Sequence, residues 1–318
     1  MTLRDARHRL EYGLVVAVRA VVRRLPDAAA RAVGTGIGLT FYFIDAAHRR
    51  LATRQLQAAF PGRTTAECRA IARATFLHFG RALVGVLRMS ALTPDQIRAQ
   101  LDIEGDDRVR SALAAGKGAI VFSGHFGFWE LPSLAHALVV EPMSVLARPL
   151  DNPYLHDLLE AMRCATGNRV IYRQGALRKV LRALHNNECV GILIDQHIHG
   201  SDAVKVNFFN RPAATTTALA SLSLRTGAPL VPAFAVPLEG GRYRLIYEPA
   251  IDPPAADEPD PVRVLTQRCT DVLEMYVRRH PHLWLWMHRR WRDESDEGDP
   301  HSSGMFPAAA PDESESRG

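Results

Sequence analysis

His125 and Glu130, five residues apart in SGHFGFWE, are the pair in this chain best suited to acid–base chemistry. A neutral imidazole takes a proton near neutral pH, and a carboxylate on its other ring nitrogen fixes the tautomer and steadies the cation. On a regular helix, residues five apart lie about 140° around the axis and share no face. The pair can therefore meet only if His125 sits ahead of the helix. The competing reading is a structural histidine bonded to backbone, and spacing alone leaves both open.

The flanking residues place His125 in such a loop. Ala119–Phe122 is a short apolar run that reads as a strand buried on both faces. Ser123-Gly124 breaks it. From Phe128 onward, FWELPSLAHALVV reads as a helix with Pro132 in its first turn. Ligands of open α/β sheets bind where strands end and helices begin. The backbone N–H groups of the Gly124–Phe128 turn are expected to face a developing negative charge there.

Polar residues recur at the ends of the other expected strands. Ser144–Ala147 precedes Arg148, Arg169–Tyr172 precedes Arg173, and Cys189–Ile194 precedes Asp195-Gln196. A helix over Asn152–Thr166 carries Arg163 inside its apolar stripe. Arginines near one histidine fit an anionic substrate, because guanidinium matches phosphate in a bidentate way. Arg148, Arg163, Arg173, Asp195 and Gln196 are thus candidate substrate-binding residues. Asp195-Gln-His-Ile-His199 has ligand-like residue types, but no further ligand pattern accompanies it and no metal is expected. No G-x-S-x-G elbow, Walker loop or dinucleotide fingerprint occurs.

The elements needed to hold these residues are legible along the chain. Val204–Phe209 reads as a strand and Ala213–Gly227 as a helix. Pro229–Val236 and Tyr243–Tyr247 read as a hairpin, and Val262–His280 as a helix. The expected fold is α/β, a mixed and mainly parallel sheet flanked by helices, preceded by an N-terminal helical region. Three segments follow: a helical region over 1–100, an α/β domain over 101–292, and a disordered acidic tail over 293–318.

Arg4–Arg24 and Ala28–Ala47 read as helices that are apolar but punctuated by arginines. Neither holds the roughly 20 uninterrupted apolar residues needed to span a bilayer. They read either as an in-plane membrane anchor or as two amphipathic core helices. Gly34-Thr-Gly-Ile-Gly38 lies inside the second and points to close helix packing, not to a nucleotide loop. Thr64 with Glu67 offers a capping box after the break at Phe60-Pro61-Gly62.

The net charge of +5 conceals an asymmetry. Residues 293–318 carry eight acids and one arginine, so the remainder carries 38 basic and 26 acidic side chains, a net of +12. A basic body suits a polyanion or an anionic membrane surface. The four cysteines show neither C-x-x-C pairing nor metal spacing and read as free thiols in a reducing compartment. No secretory signal pattern appears at residues 1–11.

Taken in order, SGHFGFWE, AAFPGRTTAE, RPLDNP, DQHIHG, FFNRPAATTTALA and PHLWLWMHRRW make the chain resemble the bacterial lipid A late acyltransferases. These are the lauroyl and myristoyl transferases, with relatives that acylate phosphatidylinositol mannosides. The resemblance runs from about residue 10 to about residue 292. It implies a glycerolipid-acyltransferase-like fold and transfer of a fatty acyl chain from an acyl carrier protein or coenzyme A thioester to a glycolipid hydroxyl. It implies no cofactor beyond the donor thioester, a lipid acceptor, an anionic membrane surface as partner and no nucleic acid. The implied location is the cytoplasmic face of the bacterial inner membrane. His125 and Glu130 would be catalytic, and Arg163 stands where relatives have a functionally needed arginine. Phe126, Phe128 and Trp129 would line an acyl channel or simply pack in the core. Gln55 replaces an asparagine usual before the Phe-Pro turn, and His197 an aspartate often found after Asp-Gln. The alternatives are another lipid acceptor, such as a lysophospholipid, or a non-catalytic membrane-binding scaffold of the same fold.

Overall fold

The computed structural model describes residues 2–89, 92–172, 175–198, 200 and 202–292. The expected tail over 293–318 and the candidate Arg173 lie outside the described residues. Nine strands are described. They are β1 (Leu101–Glu104), β2 (Ala119–Ser123), β3 (Met143–Ala147), β4 (Arg169–Tyr172), β5 (Cys189–Leu193), β6 (Ala203–Phe208), β7 (Arg211–Thr216), β8 (Leu230–Pro237) and β9 (Tyr243–Tyr247). Seven form one sheet in the order β1-β9-β8-β2-β5-β3-β4. Only the β8–β9 hairpin is antiparallel within it; β2 runs parallel to both its neighbours, β5 and β8.

Alternation along β2 divides the interior into two layers. Ile120 and Phe122 face one core with Val190, Ile192 and Phe234, while Ala119 and Val121 face the other with Cys189, Val231 and Ala235. Every residue of β2 is buried, as a central parallel strand covered on both faces requires. Because β2, β3, β4, β5 and β8 are parallel, their C-terminal ends lie along one edge, and His125, Arg148 and Asp195 all follow strands at that edge.

The helical region precedes β1: α1 (Leu3–Val22), α2 (Asp27–Ile44), α3 (Ala46–Ala59), α4 (Thr65–Met89) and α5 (Pro94–Ala99). The Thr64–Glu67 capping box opens α4, with the Thr64 N–H donating to Glu67 Oε2 at 2.7 Å. Cys68 and Ala72 of α4 pack in one core layer, and Ala82 and Met89 in the other, so this helix bridges the two. It is long and apolar enough to cross a membrane, yet it is a packed element of this fold. A Cβ on Gly80 would stand 2.3 Å from the Gly34 carbonyl oxygen, and one on Gly38 2.4 Å from that of Phe76. Those glycines therefore serve close helix packing, as their spacing predicts.

One face of α1 and α2 is packed and the other is exposed. Val22 and Ala30 pack with Val84 and Leu87 of α4, while Leu10, Leu14, Phe41, Phe43 and Ile44 point outward, the last 70% exposed.

The remaining helices are α6 (Asp106–Ala114), α7 (Leu131–Val139), α8 (Pro153–Cys164), α9 (Ala176–His185), α10 (Ala218–Thr226) and α11 (Pro261–Arg279). Two differences from the sequence reading go beyond a shifted helix end. Helix α7 starts at Leu131, leaving Phe128–Glu130 in the loop. Arg211–Thr216, of which Ala213–Thr216 falls within an expected helix, is β7, paired with β6 across a tight turn at Phe209-Asn210 with φ of 55° and 57°. A positive φ is costly for phenylalanine; the burial of Phe209 against Phe60 and Trp286 offsets it.

Candidate active site

His125 lies in the loop between β2 and α7, ahead of the helix as the spacing demands. Its Nδ1 is held not by Glu130 but by Asp195, at 2.8 Å from Oδ1. The second Asp195 oxygen accepts the backbone N–H of His125 at 2.7 Å and the indole N–H of Trp284 at 2.8 Å. Asp195 thus takes three hydrogen bonds. A carboxylate only accepts, so Nδ1 carries the hydrogen, and in the neutral imidazole Nε2 then keeps a lone pair. His125 has 17% of its side chain exposed and Asp195 only 3%, so solutes reach the imidazole and not the carboxylate behind it. That corrects the expectation that Asp195 binds substrate.

Electrostatics follow from this arrangement. Burial alone would lower the His125 pKa; the charge and hydrogen bond of Asp195 outweigh it, and the value lies above the ordinary one. Burial alone would raise the Asp195 carboxyl; the His125 charge, the two His125 hydrogen bonds and the Trp284 indole hold it well below the usual range.

Glu130 has a different partner. Both of its oxygens are taken by Arg163 of α8, Nε to Oε2 at 2.9 Å and Nη2 to Oε1 at 2.6 Å. The expected His125–Glu130 hydrogen bond is not made. A guanidinium fork offers a carboxylate two parallel charged hydrogen bonds, against the one an imidazole can give. The two side chains are 14% and 16% exposed, and both charges still act on the imidazole. Arg163, a candidate substrate-binding residue, thus has Nε and Nη2 committed to Glu130. Arg148 is exposed after β3, with no ion pair among the described residues.

The loop's own backbone is also committed. Phe126 N–H donates to the Gly124 carbonyl at 2.7 Å, Gly127 to Leu283 at 2.8 Å and Phe128 to Ala235 at 3.4 Å. With the His125 N–H bound to Asp195, four of the five donors expected to meet an oxyanion are occupied. Two glycines make the path possible. A Cβ on Gly124 would sit 3.0 Å from Asp195 Oδ2 and 2.8 Å from Leu273, and Gly127, at φ +58°, would push a Cβ to 2.0 Å from the Ala235 oxygen. His78 of α4, buried and held neutral with its pKa lowered by burial to about 4, donates from Nε2 to the Gly127 carbonyl at 2.9 Å.

The aromatic residues part company. Phe126 is a core residue against Phe234 and Tyr276. Trp129 leans on the His125 ring with centroids 5.5 Å apart. Phe128 helps line a narrow apolar slot with Val86, Met89, Leu134, Leu159 and Met162, bordered by Glu130 and Arg163. Behind Trp284, the buried Gln55 amide donates to the carbonyls of Trp286 and His288 at 2.7 and 2.8 Å and accepts the Arg290 N–H at 3.0 Å, pinning the C-terminal segment to α3. Trp284 was visible in the sequence only as one aromatic among several in LWLWMHRRW. No group of residues suited to a metal ion occurs among the described residues.

Residues 3–293 match the family described as bacterial lipid A biosynthesis acyltransferase. The chain belongs to that family. It is 26% identical to the lipid A biosynthesis palmitoleoyltransferase of Escherichia coli K12, over 82% of this chain and 84% of the relative. It is 26% identical to a lipid A biosynthesis acyltransferase of Haemophilus influenzae, over 91% and 92%. A phosphatidylinositol mannoside acyltransferase of Mycolicibacterium smegmatis is 25% identical over 87% and 90%. Among solved structures, a 1-acyl-sn-glycerophosphate acyltransferase from Thermotoga maritima covers 77% of this chain and 96% of its own at 14% identity, with a TM-score of 0.35. The protein is an acyltransferase of this family, with a mixed, mainly parallel sheet behind an N-terminal helical region.

Proposed function

We propose that the protein moves a fatty acyl chain from a thioester donor, on acyl carrier protein or coenzyme A, to a hydroxyl of a glycolipid such as a lipid A precursor. The setting is the cytoplasmic face of the bacterial inner membrane. The observation that carries the reading is the His125–Asp195 pair at the end of the central strand, with Nδ1 on the carboxylate, Nε2 turned away from it and the imidazole partly exposed.

The mechanism follows from that geometry. The acceptor hydroxyl gives its proton to His125 Nε2 while its oxygen attacks the thioester carbonyl. Asp195 stabilises the imidazolium and keeps the ring oriented. As the tetrahedral intermediate collapses, the C–S bond breaks and the leaving thiolate takes the proton from Nε2. No covalent enzyme intermediate is required. The Glu130–Arg163 pair acts as a charged border beside the base.

Membrane association is part of the same proposal. Leu10, Leu14, Phe41, Phe43 and Ile44 are exposed on the N-terminal helices, and Arg50 and Arg54 are exposed on the adjoining α3. Apolar insertion with arginines at the headgroup level suits an interfacial anchor.

Purified protein incubated with acyl carrier protein or coenzyme A thioesters and a set of glycolipid acceptors tests the reading. Mass analysis should show one acyl chain added to one acceptor class and release of free thiol. Thiol release without an acylated lipid, across all acceptors, would instead describe a thioesterase.

A further inference from the structure

The tetrahedral intermediate carries a negative oxygen, and four of the five N–H groups of Gly124–Phe128 are already bonded, which leaves that turn a single donor at most. Arg163 Nε and Nη2 are likewise committed to Glu130. One side-chain donor stands beside the reacting nitrogen. The Gln196 amide nitrogen is 3.4 Å from His125 Nε2. Gln196 directly follows Asp195, so the chain leaving β5 sets one residue behind the imidazole and the next in front of it.

The sense of the amide follows from the tautomer. Asp195 fixes the hydrogen on Nδ1, Nε2 is therefore an acceptor, and the Gln196 group facing it is the NH2. At 3.4 Å this contact is longer than an ordinary N–H hydrogen bond, so the amide is weakly held and easily turned to a substrate. A hydroxyl that binds at Nε2 puts the carbon it attacks, and that carbon's oxygen, within reach of the same amide.

Building on the acyl-transfer reading, we propose that the Gln196 side-chain amide donates to the thioester carbonyl oxygen as it becomes an oxyanion. In the attack step the hydroxyl O–H bond breaks and the proton goes to Nε2. The new C–O bond forms, and the carbonyl π pair moves onto the oxygen that Gln196 holds. On collapse that pair re-forms the carbonyl, the C–S pair leaves with sulfur, and the amide is released.

The test is steady-state kinetics of full-length Gln196→Met and Gln196→Asn proteins beside wild type. Gln196→Met keeps the bulk and removes the donor. Loss of one such donor lowers kcat by about 10²–10³. The proposal expects that loss with both KM values within about threefold of wild type. It also expects an unmoved acid limb in the pH–rate profile, because the His125–Asp195 contact is untouched. Gln196→Asn, which keeps the NH2 one methylene further back, should recover part of the loss. A Gln196→Met kcat within about threefold of wild type overturns the proposal. So does a raised KM at unchanged kcat, which would make Gln196 a ground-state binder, or a shifted acid limb, which would make it act through His125. Failure of the acyl-transfer reading shows separately, as thiol release by the wild-type protein with no acylated lipid formed.

Discussion

Asp195 stands 70 residues after His125 in the chain and 2.8 Å from its Nδ1. Parallel pairing of β2 with β5 makes this contact: Ser123 is in register with Leu193, so the two chains leave the sheet side by side. The carboxylate that orients His125 therefore comes from a neighbouring strand end rather than from the His125–Glu130 motif itself.

Asp195→Asn is expected to cut kcat by about 10²–10⁴, because the amide oxygen would keep the His125 and Trp284 N–H donors while its NH2 faced Nδ1. The proton would then sit on Nε2, the wrong tautomer for a base. The acid limb should move as well. Asp195 raises the His125 pKa, and the imidazole must be neutral to act, so in wild type the limb lies above pH 6.5. Removing the charge leaves burial opposed only by the smaller effect of Glu130, and the limb should shift to lower pH. A pH–rate profile of both proteins checks the sign; an unmoved or upward-shifted limb would remove Asp195 from the account.

Glu130 and Arg163 should behave as one unit. Glu130→Gln and Arg163→Lys each break the bidentate geometry, Arg163→Lys while keeping its charge. A double-mutant cycle on thermal or denaturant stability should give a coupling of about 1–3 kcal/mol, since both side chains are largely buried. Additive effects would mean that the pair is incidental.

Membrane binding should need both apolar insertion and charge. Full-length protein is expected to sediment with vesicles containing anionic lipid and to be partly released by salt, because exposed charges are screened over about 10 Å at 0.1 M. Phe43→Ser with Ile44→Ser should weaken binding at every salt concentration. Equal binding to neutral vesicles would make the arginines irrelevant.

Short apolar runs closed by glycine or polar residues made β2 and β5 readable, because a central parallel strand is buried on both faces. Helix α4 was readable from its cap. β7 was not: RPAATTTALA mixes helix and strand formers, and pairing with β6 across the Phe209-Asn210 turn decides it. At the site, His125 was legible because its type and loop position stand out locally. The partner of Glu130 was not, because Arg163 competes for it from 33 residues away. Asp195 was visible as a strand-end carboxylate, but only the β2–β5 register gives it its role. Trp284 had no signal of its own, since a buried indole that bonds a carboxylate looks in sequence like any packed tryptophan.

The central claim is that His125 is the base for acyl transfer to a lipid hydroxyl. Lipid mass spectrometry of cells that carry the wild-type protein, the His125→Ala protein or neither tests it most directly. The account predicts a glycolipid species heavier by one acyl chain in the wild-type cells alone, with His125→Ala protein folded and present at normal levels in the membrane fraction. The same acylated species at wild-type abundance in the His125→Ala cells would contradict it.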